Sequence, residues 1–277
     1  MRVLVLGGTG VAGRQTVAEL RRRGHQVRIL SRRAGAAAEG DASVERVAGE
    51  LTTGAGLAEA LVGVDTVVDT SNFESLRYAK AAEQFETSMR RIGELGAAAG
   101  VRHLVVLSIV GVDKAPYGYY GAKLRHERAA LSGPVPATVV RATQFHDFPA
   151  QVMSRLRLGR IAFVPTMRTQ PVATTEVAAA LTDAVDAGPT GADYAGDVGG
   201  PRVESLPDLA RRLTRRRGER TRTIALRLPG AWGRAIRRGD ALLPPGVAGR
   251  GPTYDEWLAH NPTGWTTATV QDTDQPR

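Results

Sequence analysis

The sequence predicts an α/β protein built on a doubly wound parallel sheet with a small C-terminal lobe, and three observations carry that prediction. Short aliphatic runs alternate with helical stretches through the first 150 residues, a glycine-rich turn joins the first run to the first helix, and the pattern breaks into shorter pieces after residue 150. Continuous β-branched and aliphatic runs mark strands covered on both faces, and helices between them supply the crossovers that parallel strands require.

The first strand is Val3-Leu4-Val5-Leu6, and Gly7-Gly8-Thr9-Gly10-Val11-Ala12-Gly13 leads from it into a helix at about Val11–Arg23, with Val17 and Leu20 inward. Gly7 supplies the turn, Gly10 removes the side chain that would block a phosphate, and Gly13 lets the helix pack on the strand. The helix aims its positive N-terminal end at the same spot, so the turn reads as the pyrophosphate cradle of a Rossmann-type fold. Strands follow at Gln26–Leu30, Val44–Ala48 and Asp65–Asp69, with a helical stretch at Leu57–Val62. A long helix from about Arg77 to Gly100 precedes a strand at Val101–Leu107, a helix at Gly118–Leu131, a strand at Ala137–Arg141 and a helix at Pro149–Leu158. Thr174–Ala187 and Leu206–Arg217 read as further helices, Ala192–Val198 as a strand, and Thr253–His260 as a short helix docked by Tyr254 and Trp257. The expected organisation is a nucleotide-binding region over 1–150, a smaller substrate lobe over 151–265 interleaved with the sheet, and a frayed tail over 266–277, with a cleft between region and lobe.

Composition narrows the function classes. With 277 residues and 42% hydrophobic content the chain can bury a substantial core. No apolar run approaches the ~18 residues that span a bilayer, and a core strand at residue 3 leaves no room for a signal peptide. Cysteine is absent. A cytoplasmic location is therefore expected, without disulfides or thiolate metal sites. The histidines, at 25, 103, 126, 146 and 260, form no HxH or HxxxH pair, so no metal site is expected. Residues 201–250 hold thirteen arginines and four acids, which accounts for the whole net charge of +9. No aromatic residues interleave with the arginines from Arg211 to Arg222, so that stretch reads as a solvated helix face, with an anion or partner surface as the alternative, and nucleic acid is not the expected ligand.

The second strand ends in Ser31-Arg32-Arg33, where the adenine ribose of a dinucleotide arrives. An acid there would hold the 2′-hydroxyl of NAD, whereas a serine and arginines suit the 2′-phosphate of NADP, so NADP(H) is expected over NAD(H). Arginine makes up all but three of the 37 basic residues, which draws attention to the rare lysines. Lys123 lies four residues after Tyr119 in Tyr119-Tyr120-Gly121-Ala122-Lys123, so the two share a helix face. An adjacent ammonium favours the phenolate and allows the tyrosine to exchange a proton. Ser108, read as lying just past the 101–107 strand, would point its hydroxyl from a loop into the cleft and complete a proton-relay set with Tyr119 and Lys123.

The Gly7/Gly10/Gly13 turn, Leu107-Ser-Ile-Val-Gly111, Tyr119-xxx-Lys123, Arg141-Ala-Thr-Gln-Phe145, Gln170-Pro171-Val172 and Tyr254-Asp-Glu-Trp-Leu258 resemble the atypical short-chain dehydrogenase/reductase superfamily, and more narrowly its NmrA-like NAD(P)-binding members. The resemblance implies that Gly7, Thr9, Gly10, Val11, Ala12 and Gly13 line the pyrophosphate and that Arg32 meets the adenosine phosphate. It further implies that Glu50 and Leu51 lie near adenine and that Thr70 and Ser71 flank the ribose. Lys123 would hold the nicotinamide ribose, with Thr143 and Phe145 beside the ring. The long helix offers no counterpart of the asparagine of classical members, and the doubled tyrosine leaves Tyr119 and Tyr120 as alternatives. The implied activity is NADPH-dependent reduction of a carbonyl or conjugated double bond in a small apolar or natural-product-like molecule. A redox sensor of NmrA type and a non-redox isomerase or cyclase are the alternatives. The pocket is expected between the sheet's carboxyl edge and segments 145–170 and 225–250, with Phe145, His146, Phe148, Met153, Phe163, Trp232 and Leu243 as candidate walls. A small-molecule substrate and no membrane are expected, and the sequence does not separate a monomer from a homodimer.

Overall fold

The computed structural model describes residues 1–32, 44–73, 78–191 and 193–261. Arg33 and the tail at 266–277 therefore lie outside the described residues. The chain divides into two compact units, Met1–Ala142 with Thr174–Asp197, and Thr143–Ala173 with Val198–Arg277.

The first unit runs β1 (Arg2–Leu6), α1 (Val11–Arg22), β2 (Gln26–Ser31), β3 (Glu45–Ala48), α2 (Leu57–Leu61), β4 (Thr66–Asp69), α3 (Tyr78–Ala98), β5 (His103–Ile109), α4 (Gly118–Leu131) and β6 (Ala137–Ala142). The second unit takes the chain through α5 (Phe148–Arg155), β7 (Arg157–Leu158), β8 (Ile161–Pro165) and β9 (Arg168–Thr169). Then α6 (Thr174–Ala187) and β10 (Tyr194–Val198) return to the first unit before β11 (Glu204–Ser205), α7 (Leu206–Arg216), β12 (Arg222–Leu226), α8 (Gly230–Arg238) and α9 (Tyr254–His260).

The seven strands of the main sheet lie in the order β10-β6-β5-β4-β1-β2-β3, and β3 through β6 run parallel. This is the doubly wound order, which reverses direction between β1 and β4 and opens a crevice at their carboxyl ends. The central strands are largely apolar, with Val3, Val5, Leu6, Val68, Val105 and Val106 fully buried. Leu57, Leu61, Met89 and Ile92 of α2 and α3 close one face of the core. On α1 the buried stripe is Ala12, Gly13, Thr16 and Leu20, with Val17 half-buried. Among the described residues no helix is long and apolar enough to cross a membrane.

The second unit holds a three-stranded sheet, β12-β8-β7, and a two-stranded one, β11-β9. Its arginine-rich helix α7 buries Leu206, Leu209, Ala210 and Leu213. Arg212 turns inward to ion pairs with Glu204 (2.8 Å) and Asp255 (2.7 Å), while Arg211 pairs with Asp208 on the surface.

Two local expectations change. The helix expected to reach Leu158 stops at Arg155, because Gly159 in the left-handed region (φ 56°) turns Arg157–Leu158 back on Ile161–Ala162 as a hairpin. The strand expected over 101–107 starts at His103 and runs to Ile109, because β6 pairs with it as far as Ala142. Ser108 therefore sits inside a strand, opposite Arg141, and not in a loop.

Candidate dinucleotide and proton-relay site

The turn after β1 is shaped by close backbone approach. Gly7 has φ 72°, and a Cβ there would lie 2.9 Å from the Ser71 backbone. A Cβ on Gly13 would lie 2.0 Å from the Gly7 carbonyl oxygen, so glycine at 7 and 13 is a steric requirement. At Gly10 a Cβ would meet only the Gly7 oxygen, at 3.2 Å, and otherwise open space. Gly10 is also the N-cap of α1, with no side-chain cap and no acid in the first turn. The helix start is thus left free for an anion, as a pyrophosphate cradle requires. Thr9 and Gly10 are exposed, Val11 half-buried and Ala12 buried. Arg14, which the sequence reading missed, lays its guanidinium on the Thr9 carbonyl at 2.9 Å.

The loop after β4 faces this turn. Thr70 donates its hydroxyl to the Leu6 carbonyl (2.8 Å), and the Ser71 N–H donates to Asp69 Oδ1 (2.8 Å). The hydroxyls of Ser71 and Ser108 are both buried and without a hydrogen-bond partner among the described residues. Buried hydroxyls of this kind at the sheet's carboxyl edge, with an uncapped helix and an open Gly10, fit a polar dinucleotide. Ser31 ends β2 and Arg32 follows it, exposed. Glu50 is half-buried, and the carbonyl of Leu51 receives Ser88 Oγ (3.3 Å) and Arg91 (3.2 Å).

Helix α4 carries the tyrosines and the lysine. Tyr119 is half-buried and donates its hydroxyl to Asn72 Oδ1 at 2.5 Å, while Tyr120 is buried. An asparagine thus reaches the tyrosine from the loop after β4 instead of from a helix. The Lys123 side chain is buried, and the ammonium donates to His126 Nδ1 at 2.9 Å with the Phe85 ring 4.8 Å away. His126 Nε2 in turn lies 2.9 Å from Asp69 Oδ2. An ammonium has no acceptor and a carboxylate no donor, so the imidazole between them is neutral with its proton on Nε2.

Burial lowers the Lys123 pKa to about 8, with Asp69 and Glu127 opposing the fall. Burial and the Lys123 charge also lower that of His126, against the pull of Asp69. Burial penalises the Asp69 carboxylate too, but the hydrogen bond from His126 and the nearby Lys123 charge outweigh it and hold the group down at about 2. Asp69 and His126 escaped the sequence reading. The available signals were the i, i+3 spacing of Lys123 and His126 and an acid ending an otherwise apolar strand.

Thr143 and Phe145 belong to the second unit. Thr143 is buried with its hydroxyl on the Gln170 carbonyl (2.5 Å), and Phe145 is half-buried and bridges Val172. Of the candidate walls, His146 and Met153 are buried and Phe148, Phe163, Trp232 and Leu243 half-buried. His146 packs on Trp257 and Tyr254, with ring centroids at 5.2 and 5.7 Å.

Residues 7–187 match the family model described as NAD(P)H-binding. Over 145 residues, 52% of the chain, the sequence is 34% identical to the (4-alkanoyl-5-oxo-2,5-dihydrofuran-3-yl)methyl phosphate reductase of Streptomyces griseus, of which it spans about half (48%). A short-chain dehydrogenase/reductase superfamily protein from Agrobacterium tumefaciens, solved with bound NAD, superposes with TM-score 0.67 at 18% identity, covering 99% of this chain and all of that one. MoeE5, solved with UDP-glucuronic acid and NAD, superposes with TM-score 0.71 at 18% identity, covering 94% and 100%.

Proposed function

The chain belongs to the NAD(P)H-binding family, and from that premise we propose that it is an NADPH-dependent oxidoreductase that reduces a carbonyl or conjugated double bond of a small, largely apolar molecule. The observation that carries this reading is the meeting of the Tyr119 hydroxyl with Asn72, one helical turn from Lys123 and in the same unit as the glycine turn. The name of the Streptomyces relative denotes reduction of an unsaturated lactone whose double bond is conjugated with two carbonyls, which supports an activated alkene as the substrate class.

Gly7 to Gly13 and the start of α1 would bind the pyrophosphate, and Ser31 and Arg32 the adenosine 2′-phosphate. Glu50 and Leu51 would border the adenine, and Thr70 and Ser71 the ribose. Bound NADPH supplies a hydride. Tyr119 would donate its phenolic proton to the oxyanion that develops on the substrate, and Ser108 would hold that oxygen by a hydrogen bond. The Lys123 charge would stabilise the phenolate that remains. Thr143 and Phe145 would flank the nicotinamide.

The inward turn of Lys123 favours a second reading, a cofactor-binding sensor without turnover, because its ammonium is already engaged by His126. The two readings separate on NADPH oxidation with a panel of unsaturated lactones, enones and simple ketones. Wild type should oxidise NADPH with at least one of them, and Y119F should fall by about 10²-fold or more while retaining cofactor affinity. NADPH binding without turnover across the panel, or full activity in Y119F, sinks the reductase reading.

A further inference from the structure

Tyr119 and Lys123 enter the proposed reaction, and His126 and Asp69 do not. A buried lysine keeps its charge only if an acid is within reach. The groups around the Lys123 ammonium are Phe85 from α3, Asp69 from β4, and His126 and Glu127 from α4 itself. Glu127 is committed elsewhere, with both its oxygens on the Arg141 guanidinium at 2.9 and 2.7 Å. Asp69 is left as the counter-charge, and it acts through the ring of His126. Its other oxygen receives the Ser71 N–H, at the start of the loop whose Asn72 takes the Tyr119 hydroxyl.

We propose that His126 is a positioning residue: as a neutral imidazole protonated at Nε2, it links the Lys123 ammonium to the Asp69 carboxylate, keeping the buried lysine charged and tying α4 to the loop that faces Tyr119. The link explains why an ammonium is tolerated in this core and why the tyrosine's partner comes from the end of β4. Its relevance to reduction rests on the reading of Tyr119 and Lys123 given above, but the link itself exists without cofactor or substrate.

The chain's three lysines make a direct test possible in the whole, cofactor-free protein. With ¹³C at the lysine ε carbons, the Lys123 signal, assigned as the one lost in K123M, should titrate near 8. In D69N its midpoint should fall by about one unit or more, because the charged form loses its counter-charge, and in H126L it should fall likewise, because the ring that links that charge to the ammonium is gone. In H126Q it should stay within about 0.3 unit of wild type, since an amide accepts and donates at the same two places without titrating. Ring ¹⁵N shifts of wild type at pH 7 should report the Nε2–H tautomer for His126. A protonated ring, an Nδ1–H tautomer, or a Lys123 midpoint unmoved in both H126L and D69N overturns the proposal. Where those two variants fail to fold, the wild-type tautomer and H126Q decide. Undiminished NADPH turnover in K123M would overturn the catalytic reading and leave these titrations standing.

Discussion

Glu127 and Arg141 form a two-pronged ion pair inside the first unit, with the carboxylate fully buried and the guanidinium largely so. The pair fastens α4 to β6, one strand over from Ser108, and the Tyr194 ring stacks on the guanidinium with its centroid 4.7 Å away. The parallel fork geometry fits arginine and no other cation. Removing one partner strands the other charge in the core, so R141M should destabilise the protein by about 3–5 kcal/mol in urea titration. The double variant R141M/E127L should recover part of that loss. A double variant as unstable as the sum of its parts would show that packing, not charge, holds the contact.

The glycines of the turn after β1 differ in what a methyl would meet. At Gly13 the methyl collides with the Gly7 carbonyl oxygen at 2.0 Å, so G13A should lower the Tm and distort the turn. At Gly10 the nearest atom is the Gly7 oxygen at 3.2 Å, a tight contact but no collision, so G10A should fold with a smaller loss of Tm than G13A yet occupy the space proposed for phosphate. NAD(P)H affinity of G10A, measured by fluorescence titration, should fall at least ~10-fold. Unchanged affinity in a folded G10A would remove the pyrophosphate from this turn.

On the proposed reading, Arg32 would carry the choice between the two nicotinamide cofactors. A guanidinium paired with a phosphate contributes a charge-assisted hydrogen bond of about 1.5–3 kcal/mol, so R32A should lower NADPH affinity by about 10- to 100-fold. NADH affinity should change less than about threefold, since its ribose carries no phosphate to lose. Equal losses for both cofactors, or none, would reject the 2′-phosphate assignment.

How much of this was legible in the sequence depends on whether a relationship is local. The central strands of the main sheet read directly as aliphatic runs, and the bounds of α4 and α6 follow from periodicity to the residue. In the second unit, β8 and β12 pair in parallel with some sixty residues between them, and each is short and only partly buried. Such strands leave no alternating pattern, and their partner cannot be inferred from neighbours in the chain. Helix α8, opened by Pro229 and Gly230 within an arginine-rich stretch, was hidden by the same weak local signal. In the site, the Tyr119 and Lys123 spacing was plain because one helix sets it. Asp69, Asn72 and His126 come together only when β4, its following loop and α4 are packed. That is tertiary information which the i, i+3 spacing alone does not contain.

His146 gives the second unit a pH dependence of its own. Burial against Tyr254 and Trp257 lowers its pKa to about 4, against which the single hydrogen bond from Nε2 to the Pro252 carbonyl (3.2 Å) works only in part. The unfolded ring takes up a proton below about 6.5, whereas the folded ring stays neutral until about 4. Between those values the unfolded state binds more protons, so acidification favours unfolding; the stability present above pH 6.5 is lost as pH falls towards 4. The full window corresponds to about 3 kcal/mol. Carboxylates titrate at the lower end of the same range, so the measurement is a difference. Urea unfolding of wild type and H146F at half-unit steps from pH 7.5 to 4 should show wild type losing about 3 kcal/mol more than the variant. Parallel curves would mean that His146 is protonated in the folded state, against the direction that its burial sets.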